Sequence, residues 1–439
     1  MTANDIIDKK KKGQELTKEE IEYIINGYVQ KKIPDYQISA WLMAVYFRGM
    51  TDSELLALTN CMSQSRDQVD LSKISGIKVD KHSTGGVGDK VTLVVAPVVA
   101  ACGGKVAKMS GRGLGFTGGT VDKLEAIPGL QTEITEDKFF EIVNKIGLAV
   151  MGQSANIAPA DKMLYALRDV TATVDSIPLI ASSIMSKKLA AGSDKIVLDV
   201  TVGSGAFMKN ESEAINLAEK MVAIGEGAGR ETVAILTNMD IPLGCAVGNN
   251  IEVVEAIEAL QGKGPKDLWE VCENIASLML SLAGIGTKEE CLKMVNQSIQ
   301  DKSAWKKLQE MVEEQGGDAS YITSPEKFTA ATYQEDIVAQ EDGYIDHMNT
   351  EECGKAAVLL GAGREVKEDD IDMTAGIHFF KKTGDKVKKG ELLARAYSSS
   401  NEKLTVGVKK LREIYHITSN PLPEEKAILC YVTKEGVKR

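Results

Sequence analysis

Residues 81–91, read Lys-His-Ser-Thr-Gly-Gly-Val-Gly-Asp-Lys-Val, set a cation, an imidazole, two hydroxyls and three glycines side by side. Glycines let a backbone approach an anion closely. Successive backbone N–H groups in such a loop form an anion-binding nest. Lys81 adds charge, and Ser83 and Thr84 add hydroxyl donors. A second stretch of the same kind follows at 108–120, with Lys108, Ser110, Arg112, Thr117 and Thr120 among five glycines. Two such loops point to a site for phosphate or a phosphorylated sugar.

The second loop contains G-x-G-x-x-G at Gly113, Gly115 and Gly118. Alone that pattern is unspecific. Its flanks are crowded with donors, and no clean helix follows until 122–125, which soon meets Pro128-Gly129. Phosphate therefore fits better than a dinucleotide. His82 reads either as a structural histidine or as a proton donor beside an anionic reaction centre. Tyr165 and Arg168 stand three apart, and Ser183 and Lys187 four apart, on two expected helices. Each pair shares a helix face. These faces are either solvated or the wall of a polar pocket, where an arginine fork suits a planar ring with carbonyl and N–H groups.

The elements that must position these groups change in texture along the chain. Residues 1–66 read as helical, with capping boxes at Thr17/Glu20 and Thr51/Glu54. From 67 onward, short β-branched runs (77–79, 105–108, 196–200, 233–237) alternate with helical stretches such as 212–224 and 249–261. That alternation predicts an α/β domain with a mostly parallel sheet. Ligands of such sheets sit at the carboxyl ends of strands. Stretches 159–170 and 178–191 read as helices that rejoin the N-terminal ones. The expected division is a small all-helical domain (1–66 with about 160–193), a large α/β phosphate-binding domain (67–159 with 194–330), and a C-terminal α/β domain (331–439).

Bulk properties narrow the partners. The chain has 439 residues, 43% apolar and 26% charged, with a net charge of −11. Nucleic acid and anionic membranes are poor partners for that balance. Residues 1–12 lack the apolar core of a secretion signal, and the longest apolar run, 91–102, is too short to span a bilayer. Seven scattered cysteines form neither zinc spacing nor a disulfide framework. The expectation is a reduced, cytoplasmic, enzyme-sized protein.

Taken together, the stretches 81–89, 108–125, 159–174, 176–192 and 203–209 resemble the pyrimidine nucleoside phosphorylase / thymidine phosphorylase family, in the family's order and near full length. The resemblance implies the fold of the anthranilate phosphoribosyltransferase class and a homodimer through the helical lobe. It implies attack of inorganic phosphate on C1′ of uridine, thymidine or deoxyuridine, with inversion, giving free base and an α-(deoxy)ribose 1-phosphate. Phosphate would be held at Lys81, Ser83, Thr92, Lys108, Ser110 and Thr120. The base would be held at Tyr165, Arg168, Ser183 and Lys187. His82 matches the histidine proposed to protonate the base O2. No organic cofactor is implied. A monovalent cation, potassium, would sit at Gly88, Lys90, Leu243, Ala246 and Glu255.

Two residues depart from the family pattern. Phe116 stands where a histidine is expected, which bears on base or sugar preference. Lys90 stands where some bacterial relatives have threonine. If position 90 contributes a carbonyl, potassium survives; if its ammonium fills the site, the metal is dispensable. Two rival functions remain. A phosphoribosyltransferase of the same fold would need a magnesium-binding acidic site that the sequence does not display. A non-catalytic carrier is suggested by the hammerhead-like turn at 384–391, but it has no modifiable Met-Lys-Met, and the grouping of His82, Arg168 and Lys187 argues against it.

Overall fold

A computed structural model describes residues 1–439 apart from 67, 114–117, 154–156 and 365–368. Four helices come first: α1 (Ala3–Lys11), α2 (Lys18–Val29), α3 (Asp35–Arg48) and α4 (Asp52–Ser63). Both expected capping boxes form. Thr17 and Thr51 accept from the amides of Glu20 and Glu54, whose carboxylates accept in return. Inward residues follow the helical period: Ile21, Ile24, Ile25 and Tyr28 on α2, and Ile38, Trp41, Leu42 and Val45 on α3.

The α/β portion then runs β1 (Val79–Ser83), α5 (Val91–Ala101), β2 (Val106–Ser110), α6 (Thr120–Glu125), α7 (Glu136–Ile146) and β3 (Leu148–Gly152). Helices α8 (Pro159–Asp169) and α9 (Ile177–Ala190) return to the helical lobe, packing on α4. Next come β4 (Lys195–Val202), α10 (Glu211–Gly227), β5 (Glu231–Asn238), β6 (Ala246–Gly248), α11 (Asn250–Leu260) and α12 (Lys266–Leu282). Helices α13 (Lys288–Gln300), α14 (Ser303–Glu314) and α15 (Ser320–Thr323) complete this portion. The C-terminal part contains β7 (Tyr333–Val338), β8 (Gly343–Ile345), α16 (Thr350–Leu360), β9 (Gly376–Phe379), β10 (Lys386–Val387), β11 (Leu392–Ser398), α17 (Asn401–Ile414), β12 (Ile417–Thr418), β13 (Ile428–Thr433) and β14 (Gly436–Lys438).

The main sheet has the order β1-β4-β5-β13-β14, with β1, β4 and β5 parallel. The parallel pair β2-β3 continues it through a bridge between Lys78 and Lys105. Both faces are buried, as parallel sheets require. Ile196, Leu198 and Val200 of β4 join the cluster of the helical lobe and α10. Val197 joins the opposite cluster, with α5 and α12. The helical lobe therefore shares a core with the sheet.

Three sequence expectations need correction. The first strand is not 77–79 but Val79–Ser83, so Lys81, His82 and Ser83 lie in a strand rather than in a loop. Partnership with Lys195–Asp199 extends it, and local composition cannot reveal a partner more than a hundred residues away. Second, β13 and β14 lie within the expected C-terminal domain but belong to the large sheet, β13 pairing with β5 and β14 with β13. Third, β6 lies within the expected large domain but joins the C-terminal sheet, β6-β9-β11-β7. A strand follows available backbone partners, so the two domains exchange strands.

Val87 completes the tie. It sits in the middle of the first glycine loop, is 1% exposed, and packs in the C-terminal core with Val247 and Ile377. The loop is thereby anchored from outside its own domain. Val87→Ala is expected to lower stability by about 1–3 kcal/mol through lost burial and a residual cavity. A urea denaturation midpoint checks this; an unchanged midpoint would remove the anchoring role.

Candidate functional site

Strand alternation divides the residues of β1 between two faces. Asp80 and His82 pair with Ile196 and Leu198 and share their face, toward α9. Lys81 and Ser83 pair with Val197 and Asp199 and face the α5 and α12 side. On the first face, buried Asp80 lies 3.1 Å from Lys108 Nζ and accepts from Lys188 Nζ at 2.8 Å. Lys108 also donates to the Lys81 carbonyl. On the second face, Lys81 Nζ lies 3.3 Å from Asp199 and 3.5 Å from Asp89. It is buried without a well-aligned acceptor among the described residues. Thr237 donates to Asp199 at 2.7 Å and fixes that carboxylate.

These charges act on His82. Burial, then Lys188, Lys108, Lys187 and Lys81, hold its imidazole well below the usual 6.5. Burial likewise pushes Lys108 down to about 7; Asp80 opposes the shift, and Lys188 and Lys81 add to it. A neutral imidazole among lysines whose charge is opposed by burial is poised to take up a proton when an anion enters.

The other wall is α8 and α9. Pro159 opens α8 and Pro178 the first turn of α9, as expected from their fixed φ. Arg168 is 3% exposed and lies 5.7 Å from the Tyr165 ring centroid. Its Nε donates to Thr173 O at 3.2 Å, Nη1 to Leu179 O at 3.0 Å and Nη2 to Val174 O at 2.6 Å. The freely presented fork expected from sequence is thus engaged: three of its five N–H groups hold the α8–α9 connection, and two remain. Lys187 is 2.8 Å from Asp161 of α8 and 3.5 Å from Ser183 Oγ.

In the first loop Ser83 Oγ accepts from Gly85 N at 3.2 Å, and Thr84 is paired with Thr201 at 2.9 Å. Helix α5 begins just beyond this loop, with Val91 N donating to Asp89 Oδ1 at 3.3 Å and Leu93 N to Lys90 O at 2.9 Å, so its first turn is held to the residues that precede it. Thr92 in that turn and Thr120 at the start of α6 line one narrow crevice. Ser110 ends β2 and is buried. Much of the second glycine loop, Phe116 included, lies outside the described residues. Its flank is fixed by buried Asp122, which accepts from Gly113 N at 2.6 Å, Arg112 at 3.2 Å and Arg364 at 3.1 Å.

The positions expected for potassium do converge. Lys90 Nζ donates to Leu243 O at 2.9 Å, Ala246 O at 2.9 Å and Glu255 Oε2 at 2.7 Å. Lys90 is 0% exposed. Burial works against its charge, but Glu255, then Glu252, outweighs burial and raises its pKa. Gly88 has φ +80°, and a Cβ there would lie 2.4 Å from Leu243 O and 3.3 Å from Lys90 Nζ. These residues do not fit a metal ion, because the ammonium already takes the carbonyl and carboxylate oxygens.

Sequence reasoning missed the counter-charges. Asp80, Asp89, Asp161 and Asp199 each hold a named cation, and Lys188 and Lys123 are buried beside the loops. The available signal was adjacency: Asp80 precedes Lys81, and Lys188 follows Lys187.

Comparison with known proteins places this geometry in context. Residues 75–305 match the model "glycosyl transferase family, a/b domain", 4–66 the "glycosyl transferase family, helical bundle domain", and 344–418 the "pyrimidine nucleoside phosphorylase C-terminal domain". The chain is 54% identical over 418 residues to pyrimidine-nucleoside phosphorylase of Staphylococcus haemolyticus, covering 95% of this chain and 96% of that one. It is 53% identical over 423 residues to the protein of that name from Geobacillus stearothermophilus, covering 96% and 98%. Among solved structures, anthranilate phosphoribosyltransferase from Thermus thermophilus matches in fold with a TM-score of 0.58 at 18% identity, covering 71% of this chain and 99% of that one.

The electrostatics predict how His82 titrates. Without phosphate, the imidazole signal absent from His82→Gln should titrate below 6.5 in a histidine-labelled NMR series, and saturating phosphate should move it upward. A ring that is charged at neutral pH without phosphate would contradict this. The unfolded chain takes up that proton near 6.5 while the folded one resists. Stability contributed by neutral His82 is therefore complete above 6.5 and declines as pH falls below it.

Proposed function

Because the chain belongs to the pyrimidine-nucleoside phosphorylase family, we propose that it cleaves pyrimidine nucleosides with inorganic phosphate. The substrates are uridine, thymidine or deoxyuridine, and the products are free base and α-D-(deoxy)ribose 1-phosphate. The observation that carries this reading is the near full-length identity to proteins bearing that name. The cationic cluster at the carboxyl end of β1 supports it.

Lys81, Ser83, Thr92, Lys108, Ser110 and Thr120 receive phosphate, while Tyr165, Arg168, Ser183 and Lys187 receive the base. A phosphate oxygen attacks C1′ from the face opposite the base. The C1′–N bond breaks, and both its electrons leave with the pyrimidine. Negative charge grows on the ring as it departs, so Lys187 and the two unengaged N–H groups of Arg168 bind the transition state more tightly than the ground state. The arriving dianion offsets the lysine field and raises the proton affinity of His82 and Lys108. His82 thus becomes able to hand a proton to the base O2 only once phosphate is in place. No organic cofactor takes part.

The protein works as a homodimer through its helical lobe. Tyr36 (74% exposed) and Phe47 (75%) of α3, with Tyr23 of α2, leave an apolar face there. It acts in the reducing cytoplasm, in keeping with seven unpaired cysteines, six of them buried. No helix among the described residues is long and apolar enough to cross a membrane.

Incubation with uridine or thymidine should release free base only when phosphate is present; release without phosphate would overturn the reading. Lys187→Met is expected to cost about 10²–10³-fold in kcat, read in the same assay. Phe47→Asp should halve the mass seen by light scattering, and an unchanged mass would place the interface elsewhere.

A further inference from the structure

The segment around residues 242–246 is gripped by two ammonium groups from opposite sides. From inside, Lys90 takes the carbonyls of Leu243 and Ala246 and one oxygen of Glu255. From the C-terminal domain, Lys382 takes Pro242 O at 3.1 Å, Gly244 O at 2.9 Å and Asp267 Oδ2 at 2.6 Å. The other oxygen of Glu255 accepts the amides of Cys245 at 2.8 Å and Ala246 at 3.0 Å. The segment is therefore wrapped around one buried positive point, with carbonyls directed to the charge and amides to its counter-ion.

We infer that the Lys90 ammonium is a built-in replacement for a bound monovalent cation, and that this protein holds its first glycine loop without potassium. Three features of the site carry this. An alkylammonium has three donors, and Lys90 has three acceptors, so its hydrogen-bonding capacity is complete. The acceptors are those a small cation would use, two carbonyls and a carboxylate. The space is also full: a Cβ on Gly244 would fall 2.9 Å from Lys90 Nζ and 2.2 Å from Glu255 Oε2. A second cation would meet the ammonium with no carboxylate to spare, since Glu255 faces Lys90 and Glu252 faces Lys123, and would be an uncompensated buried charge.

The consequence reaches the reaction site. Leu243 N donates to Val87 O at 3.1 Å, and Lys90 N donates to Gly88 O at 2.9 Å. Lys90 is thus tied to the Gly85–Gly88 turn through its own backbone and through the 243–246 segment. It is a positioning residue. A tethered cation cannot dissociate, so the loop geometry does not depend on the salt around it.

The test compares potassium with choline, a cation too large for the site, at constant ionic strength. For the wild-type chain, Tm without substrate and the phosphorolysis rate should be the same in both. Lys90→Thr removes the ammonium and opens its space. In choline it should lose thermal stability and about 100-fold in rate, the scale on which a displaced positioning loop is amplified. Potassium or ammonium chloride should raise its Tm saturably and restore the rate. A wild-type Tm or rate that falls in choline overturns the inference. So does a folded Lys90→Thr chain that matches wild type in choline, or one that neither cation rescues. If that variant does not fold, the wild-type comparison still decides. The Tm arm uses no nucleoside, so its outcome is separate from the assignment of phosphorolysis.

Discussion

Asp80 joins three elements through one buried carboxylate. It belongs to β1, one oxygen faces Lys108 of β2, and the other holds Lys188 of α9. Sheet and helical lobe meet at this point. A buried carboxylate with two cations is stable only while both partners stay, since removing either leaves charge uncompensated in low dielectric. The distance between strands β1 and β2 and helix α9 is therefore set by an electrostatic condition as well as by packing. The same triad supplies two of the positive charges that keep His82 neutral. One contact thus positions the site and tunes its chemistry.

The overall charge and the local charge have opposite signs. The chain carries −11, while four lysines gather around His82. The lysines are nearly balanced by Asp80, Asp89, Asp161 and Asp199. Balance lets a cationic pocket survive burial before its anion arrives. It also means that binding a dianion redistributes protons rather than simply neutralising a surplus of charge. Among the described residues Lys81 Nζ lacks a well-aligned acceptor, which leaves donors for an incoming oxygen.

Much of the site was legible as composition. The glycine turn at 85–88, the α8 and α9 pairs, and the capping boxes of α2 and α4 depend on residues close in sequence, and they appear where spacing placed them. What was not legible depends on partners. The length of β1 comes from β4. The exchange of β6 and β13 between sheets depends on which edges were free. Arg168 looked like a ligand fork, yet most of it serves the turn between α8 and α9; a side chain's type gives its donors but not where they are used. For Lys90 the sequence allows both outcomes, and only the positions of Leu243, Ala246 and Glu255 around its Nζ separate them.

The antiparallel pairing of β13 with β5 bears on how the molecule is made. During synthesis β5 emerges long before β13, and in the interval its outer edge has backbone groups with no partner. Cys430 and Val432, which finish the core beside α10, are absent throughout that time. A nascent chain at this stage is a template for pairing with a neighbour. The ribosome-bound intermediate thus carries an open sheet edge that the finished chain covers, and slow translation downstream of β5 would lengthen its exposure to chaperones and to other chains.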